Sequence, residues 1–189
     1  MEWGTNSGKL DAQAVKAAAE ALEAATTQHG ERLIELSEQG TVLLVFLRHS
    51  GCTFCREALG DIAASRRRAE FAGVRIILVH MGDQAGIDAL LEKNGLTGID
   101  CISDPSRTLY NTFGLRRGRL GQLLGPKVWW RGVQAGILDG HGVGKPTADP
   151  AQMPGLFLLK QSSVVGSFRH RSAADRPDYL AICSSHSAQ

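Results

Sequence analysis

The chain reads as an α/β protein built on a central mixed sheet, and three observations predict it. β-favouring apolar runs alternate with amphipathic helical patterns through the first half of the chain. Two short apolar runs late in the chain are spaced as a hairpin. No internal repeat at a solenoid period competes with this order.

Thr41 to Leu47 is an unbroken run of β-favouring residues with no polar alternation, as expected of a mid-sheet strand covered on both faces. From Cys55 onward Leu59, Ile62 and Ala63 share one side of a helix, while Glu57, Asp61, Arg66 and Arg67 fall elsewhere. Phe71 and Gly73 lead into a second buried strand, Val74 to Val79. A right-handed strand–helix–strand crossover makes these two strands parallel. A third helix, about Gln84 to Lys93, carries Ile87, Leu90 and Leu91 and stops at Asn94-Gly95, before a short strand from Gly98 to Ile102. Leu156 to Leu159 and Val164 to Phe168, separated by Lys160 to Ser163, form the antiparallel hairpin. Asp178 to Cys183 closes the fold as a short helix.

Two decorations flank this frame. Asp11 caps a helix over Ala12 to Gln28, with Val15, Ala18, Leu22 and Ala25 at helical spacing and Gly30 ending it. A second helix over Glu31 to Glu38 presents Leu33, Ile34 and Leu36. Between Asp104 and Asp139 no acidic residue occurs, while Arg107, Arg116, Arg117, Arg119, Lys127 and Arg131 all do. This basic stretch, with one helix from Pro126 to Leu138 and a loop from Asp139 to Gln152, reads as an insertion before the hairpin. The expectation is one domain over residues 1–189, with residues 1–10 and 184–189 as loose tails.

Composition narrows the function classes. The chain has 189 residues, 43% apolar and 21% charged, with a formal charge of +2, so it folds and offers no field strong enough to argue for nucleic acid. The longest strictly apolar stretch, Val42 to Leu47, is far shorter than the roughly 20 residues of a spanning helix. Met1 to Ala12 lack the apolar run of a secretory signal, so a cytoplasmic location is expected and any cysteine pairing should be reversible.

Chemistry concentrates at Cys52-Thr53-Phe54-Cys55, where a buried strand turns into a helix. Cys52 there faces the unsatisfied N–H groups and positive dipole end of the helix, which favour a thiolate. Arg48 and His49, just upstream, add positive potential, and Thr53 lies inside the turn as a supporting residue. The second sulfur comes close enough in the first turn for a reducible bond, so the pair can cycle. Two readings compete with a redox dithiol. One is a structural pair with no chemistry. The other is a zinc site of His49, Cys52 and Cys55 that takes a fourth ligand from His80, Cys101 or His141. No cofactor and no metal is expected.

The stretch Val45-Phe46-Leu47-Arg48-His49-Ser50-Gly51-Cys52-Thr53-Phe54-Cys55-Arg56-Glu57 resembles the active-site segment of peroxiredoxin-like proteins of the alkyl hydroperoxide reductase and thiol-specific antioxidant group, within the thioredoxin superfamily. Ser103-Asp104-Pro105 with Leu109-Tyr110 and Phe113-Gly114-Leu115 is similar to that group's segment after its third strand. Gln152-Met153-Pro154-Gly155-Leu156-Phe157 is similar to the turn entering its hairpin. The resemblance spans roughly residues 41 to 170 and implies a thioredoxin-like fold, with Pro154 as a supporting residue in the cis-proline position facing the dithiol. The sequence departs from the group at three places. Cys52 stands where the group has threonine, no proline precedes it within His49-Ser50-Gly51, and Gln152, Met153 and Gly155 offer no peroxide-polarising arginine. Arg48 or Arg169 is left as the substitute.

These features lead to two functional expectations. In the first, the Cys52–Cys55 pair reduces a peroxide or a disulfide and is regenerated by an external thioredoxin- or glutathione-type thiol. In the disulfide version Cys52 attacks and Cys55 resolves; in the peroxide version the resemblance assigns the attack to Cys55. Cys52, as the more accessible sulfur, is the favoured attacker, and the choice of substrate stays open. In the second expectation the dithiol senses oxidation or holds a metal without turnover. Cys101 and Cys183 read as buried small hydrophobes and not as resolving thiols. Gly140 to Lys145 looks like a phosphate loop but is rejected, because Asp139 and Pro146 replace the residues that would make one. Trp129 and Trp130 cannot share a helix face, so at most one lines the cleft.

Overall fold

The computed structural model describes residues 19–48, 53–71, 73–118, 149, 151–172 and 174–184. The expected capped start of the first helix, the expected helix from Pro126 to Leu138, all of the loop that follows it except residues 149, 151 and 152, and the residues of His49-Ser50-Gly51-Cys52 lie outside these. In chain order the described elements are α1 (residues 19–24), α2 (Leu33–Gln39), β1 (Thr41–Phe46), α3 (Thr53–Phe71), β2 (Val74–His80), α4 (Gln84–Lys93), β3 (Asp100–Ser103), α5 (Thr108–Thr112), β4 (Gly155–Lys160), β5 (Ser163–Arg169) and α6 (Tyr179–Ser184).

The five strands form one sheet in the order β3-β2-β1-β4-β5. β1 pairs parallel with β2 and antiparallel with β4, which continues into the β4–β5 hairpin. This is the expected mixed sheet with β1 at its centre. The unbroken apolar run of β1 follows from that place. Leu43 and Val45 enter one core with Leu59 and Ile62 of α3 and Ile182 of α6. Val42, Leu44 and Phe46 enter the other core, with Leu33 and Leu36 of α2 and Tyr110 of α5. Each fully buried leucine contributes about 1.5–3 kcal/mol, so neither face of β1 can turn to solvent. On the second face Phe46, Phe113, Phe157 and Tyr110 form an aromatic cluster with centroid separations of 4.6–5.6 Å.

The hairpin turn has Gln161 and Ser162 both at positive φ, 50° and 60°. A two-residue turn of this hand suits the twist of the flanking strands but ordinarily asks for Asn or Gly. Here α2 supplies the compensation. The Ser37 carbonyl accepts the Gln161 N–H (2.7 Å), Ser37 Oγ accepts the Ser162 N–H (3.2 Å), and Ser162 Oγ donates to Glu38 (3.1 Å).

Four sequence expectations shift. The first helix ends at residue 24 and not at Gln28, because Thr26 bridges to Arg32 and Gln28 turns to serve the sheet. The second helix accordingly starts at Leu33. The third strand is Asp100–Ser103, displaced toward its C-terminal end, and Ser184 belongs to the last helix. α5 was not expected. It follows from Asp104, whose carboxylate accepts the Thr108 and Tyr110 N–H groups at 2.9 and 3.2 Å.

Gln28 covers the open edge of β3 as a strand would. Its N–H donates to the Cys101 carbonyl (2.9 Å), its Nε2 donates to the Ile99 carbonyl (3.0 Å), and its Oε1 accepts the Cys101 N–H (2.6 Å). Gln28→Ala removes both side-chain bonds and leaves the Cys101 N–H without its partner. The expected loss is about 1–2 kcal/mol, measured as a lower urea midpoint at unchanged m-value.

Candidate functional site

The site forms where β1 ends. The Leu47 N–H extends the ladder by one bond to the Val79 carbonyl (2.9 Å), and the buried Tyr110 hydroxyl reaches both the Leu47 carbonyl and the Val79 carbonyl, the latter at 3.0 Å. Arg48 follows directly. α3 is described from Thr53, which is buried, and carries Cys55.

Cys55 is only 4% exposed and packs among Leu47, Leu59, Leu156 and Tyr179. The Arg48 backbone N–H donates to its Sγ at 3.3 Å. The Arg48 side chain is also buried, and its Nε donates to the Gln152 carbonyl at 3.0 Å. Gln152 is held in turn, its Nε2 donating to the Leu115 carbonyl (2.8 Å) and the Met153 carbonyl (3.2 Å). A continuous chain of hydrogen bonds therefore runs from the sulfur through Arg48 to the turn that enters β4. An N–H aimed at the sulfur stabilises negative charge that develops on it.

Two clefts reach Cys55 and Arg48 from opposite sides. The first is also lined by Pro154, His170, Asp175 and Tyr179; the second, more apolar, by His80, Met81, Ile87 and Leu90. Each leaves about 30 Å³ in which a water-sized molecule can be centred. One water needs roughly 10–15 Å³ of such space, so the clefts suit small molecules.

Of the candidate residues, Cys55, Arg48 and Pro154 come together at the first cleft, and Thr53 opens the helix that carries Cys55. Cys52, the residue directly before α3, lies outside the described residues. The two candidate arginines lie in different places. Arg48 lines both clefts, whereas Arg169 bonds the Phe113 carbonyl and Ser167 and lies over the Phe157 ring at 4.8 Å.

The expected cis bond at Met153-Pro154 is not found, since no cis peptide occurs among the described residues. The physical reason is local pairing. Gln152 bridges to Arg117 and the Met153 N–H donates to the Arg116 carbonyl (3.3 Å), so the segment is already extended and a trans bond carries it straight into β4.

Cys101 and Cys183 are both buried, and burial pushes their thiols up to about 12 and about 11 respectively. Such thiols stay protonated and unreactive near neutral pH. Among the described residues no group of three or more His, Cys, Asp or Glu side chains could hold a metal ion; His49, Cys52 and His141 lie outside them. No described helix is long and apolar enough to cross a membrane.

Sequence reasoning missed two groups. Glu57 is buried on α3 and pairs with Arg176 at 3.3 Å, and Arg176 also grips both oxygens of Asp61 at 2.8 and 2.6 Å. His170, directly after β5, lines the first cleft and its buried Nδ1 has no protein partner. Alternation along Phe168-Arg169-His170 was the available signal for it. Burial, with a smaller push from Arg48, holds the His170 imidazole down to about 4, against Asp175, which raises it. His80 is likewise shifted down, burial first.

Both histidines therefore bind protons more weakly folded than unfolded, where the imidazole titrates near 6.5. The unfolded state gains protons first, so stability is full above pH 6.5 and falls as pH drops toward 4. For Asp175, burial acts upward but hydrogen bonds from Ser172 and Arg171 outweigh it, so its carboxyl titrates below 3.8 and its loss comes at still lower pH. The expected outcome is a falling urea midpoint between pH 7 and pH 4.5, with His170→Gln flattening part of the fall. A midpoint independent of pH across that window contradicts the assignment.

Comparison with known proteins bears on the fold that carries these residues. The family model described as AhpC/TSA antioxidant enzyme matches residues 61–174, starting after Cys55. The human Peroxiredoxin-like 2C is 28% identical over 163 residues, covering 79% of this chain and 68% of that protein. Its Bos taurus counterpart is 25% identical over 150 residues, covering 72% and 63%. The chain thus spans about two-thirds of the length of these curated relatives. Among solved structures, peroxiredoxin Q of Xanthomonas campestris superposes with a TM-score of 0.61 at 18% identity, covering 86% of this chain and 90% of that one. At that identity the likeness establishes the thioredoxin-like fold.

Proposed function

Because the chain belongs to the AhpC/TSA antioxidant enzyme family, whose model matches residues 61–174, we propose that it is a thiol-dependent peroxidase in which Cys55 makes the first attack. One observation carries the reading. The Cys55 sulfur sits at the junction of two narrow clefts, with the Arg48 N–H on the sulfur and the Arg48 side chain buried beside it. A hydroperoxide is small enough to enter such a cleft; a folded disulfide partner is not.

The chemistry then balances without a bound cofactor. The Cys55 thiolate forms a bond to the terminal oxygen of ROOH, the O–O bond breaks, and the leaving RO⁻ takes one proton to give ROH. Sulfur is oxidised by two electrons to a sulfenic acid. The Cys52 thiolate displaces the sulfenic hydroxyl, which leaves as water after taking a proton, and a Cys52–Cys55 disulfide results. An external thioredoxin-type dithiol, or two glutathione-type monothiols, reduces it and leaves as the corresponding disulfide. A cytoplasmic location, where such reductants are plentiful, belongs to the same proposal.

The burial of Cys55 also favours a second reading, in which Cys52 attacks a disulfide substrate and Cys55 resolves. One experiment separates the two. Purified protein is offered hydrogen peroxide and a small-molecule disulfide in parallel, each with a regenerating thiol. The expected result is peroxide turnover that Cys55→Ser abolishes, while Cys52→Ser still forms one sulfenic acid per chain but does not cycle. Arg48→Leu, which removes the buried cation, lowers kcat/KM for peroxide by roughly 100-fold. Disulfide turnover that depends on Cys52, with no peroxide consumption, supports the second reading.

A further inference from the structure

We propose that His170 is a substrate-binding residue of the peroxide cleft, hydrogen-bonding the hydroperoxide group through Nδ1 and holding its leaving oxygen for displacement by Cys55. The inference rests on the peroxidase reading and adds to it a residue outside the cysteine motif.

Strand register places the ring. Val45 pairs with Leu156, and Leu156 with Phe168; in the next row Phe46 pairs with Gly155, and Gly155 with Arg169. One row further, past the ends of the paired strands, lie Leu47, Pro154 and His170. Side chains alternate across a sheet, so this row faces the same side as Val45, Leu156 and Phe168. That side is the core that contains Cys55. The Phe168 and His170 rings meet edge-on at 5.1 Å, as neighbours on one face should.

The chemistry of the ring suits the task. Nδ1 is buried with no protein partner, although the backbone at Pro154 and Asp175 approaches the imidazole. A buried nitrogen left unsatisfied is costly, and a ligand that bonds it recovers that loss. The ring is neutral at working pH. A neutral imidazole offers one N–H and one lone pair, and a hydroperoxide both donates through its O–H and accepts at either oxygen. Arg48, which lines the same cleft, supplies a positive charge near the sulfur. A hydrogen bond to the leaving oxygen strengthens as negative charge develops on it, which is where binding accelerates the step.

The test compares wild type, His170→Leu and His170→Asn, the last keeping an amide nitrogen and oxygen near the Nδ1 position. Each protein is mixed with hydrogen peroxide or tert-butyl hydroperoxide and the loss of Cys55 thiolate is timed. Alkylation of Cys55 by iodoacetamide, which has no oxygen leaving group, reports thiolate formation and folding. Expected are a fall of roughly 100-fold in the peroxide rate for His170→Leu, partial recovery in His170→Asn, and alkylation unchanged within about twofold. Three results overturn the inference: His170→Leu reacting as fast as wild type, His170→Asn no faster than His170→Leu, or peroxide and alkylation rates falling together. A wild-type protein no faster toward peroxide than free cysteine overturns the peroxidase reading and this inference with it.

Discussion

The hydrogen bond from the Arg48 main chain to the Cys55 sulfur sets the terms for the rest of the site. It requires β1 to end close to α3, so that a strand-end amide reaches a sulfur carried by the helix. The same residue then spends its side chain on the Gln152 carbonyl, which fixes the turn into β4 against the sulfur. Tyr110 closes the arrangement from below by holding the Leu47 carbonyl one residue upstream. Burial pushes the Tyr110 hydroxyl well above its ordinary range, with Cys55 and Asp104 adding to the effect, so it remains a neutral donor there.

Such convergence depends on a strand buried on both sides. β1 has a core on each face, and its centre-sheet position puts a parallel neighbour on one edge and an antiparallel one on the other. The parallel side leads to His80 and the second cleft; the antiparallel side leads to Pro154, His170 and the first. The two approaches to Cys55 are thus a consequence of the mixed sheet. The Glu57–Arg176–Asp61 group ties the segment before α6 onto α3 beside the first cleft, which fixes one wall of it.

Much of this was legible in the sequence because the relevant signals are local. The unbroken apolar run of β1, the amphipathic face of α3, the Asn94-Gly95 stop of α4 and the spacing of the hairpin all declare themselves within a few residues, and all appear in the structure. Cys55 and Arg48 were legible for the same reason, flanking one strand-to-helix turn. What escaped depends on pairings distant in sequence. Gln28 leaves its helix to cover β3, Gln152 receives Arg48 from 104 residues away, and His170 shares the first cleft with Cys55 only because β5 registers on β4 and β4 on β1. The trans Met153-Pro154 bond belongs with these, since contacts with residues 116 and 117 draw the segment straight. Asp104 is different: its capping role was written locally and was passed over.

The central claim is that the sulfur held by Arg48 is the one that reacts. The most direct measurement is to expose the reduced protein to one equivalent of hydrogen peroxide in the presence of a sulfenic-acid trap and map every cysteine by mass spectrometry. The account predicts label on Cys55, or a Cys52–Cys55 disulfide where Cys52 outruns the trap, with Cys101 and Cys183 untouched. Oxidation that appears first on Cys101 or Cys183, or a Cys55 that stays reduced while peroxide is consumed, contradicts it.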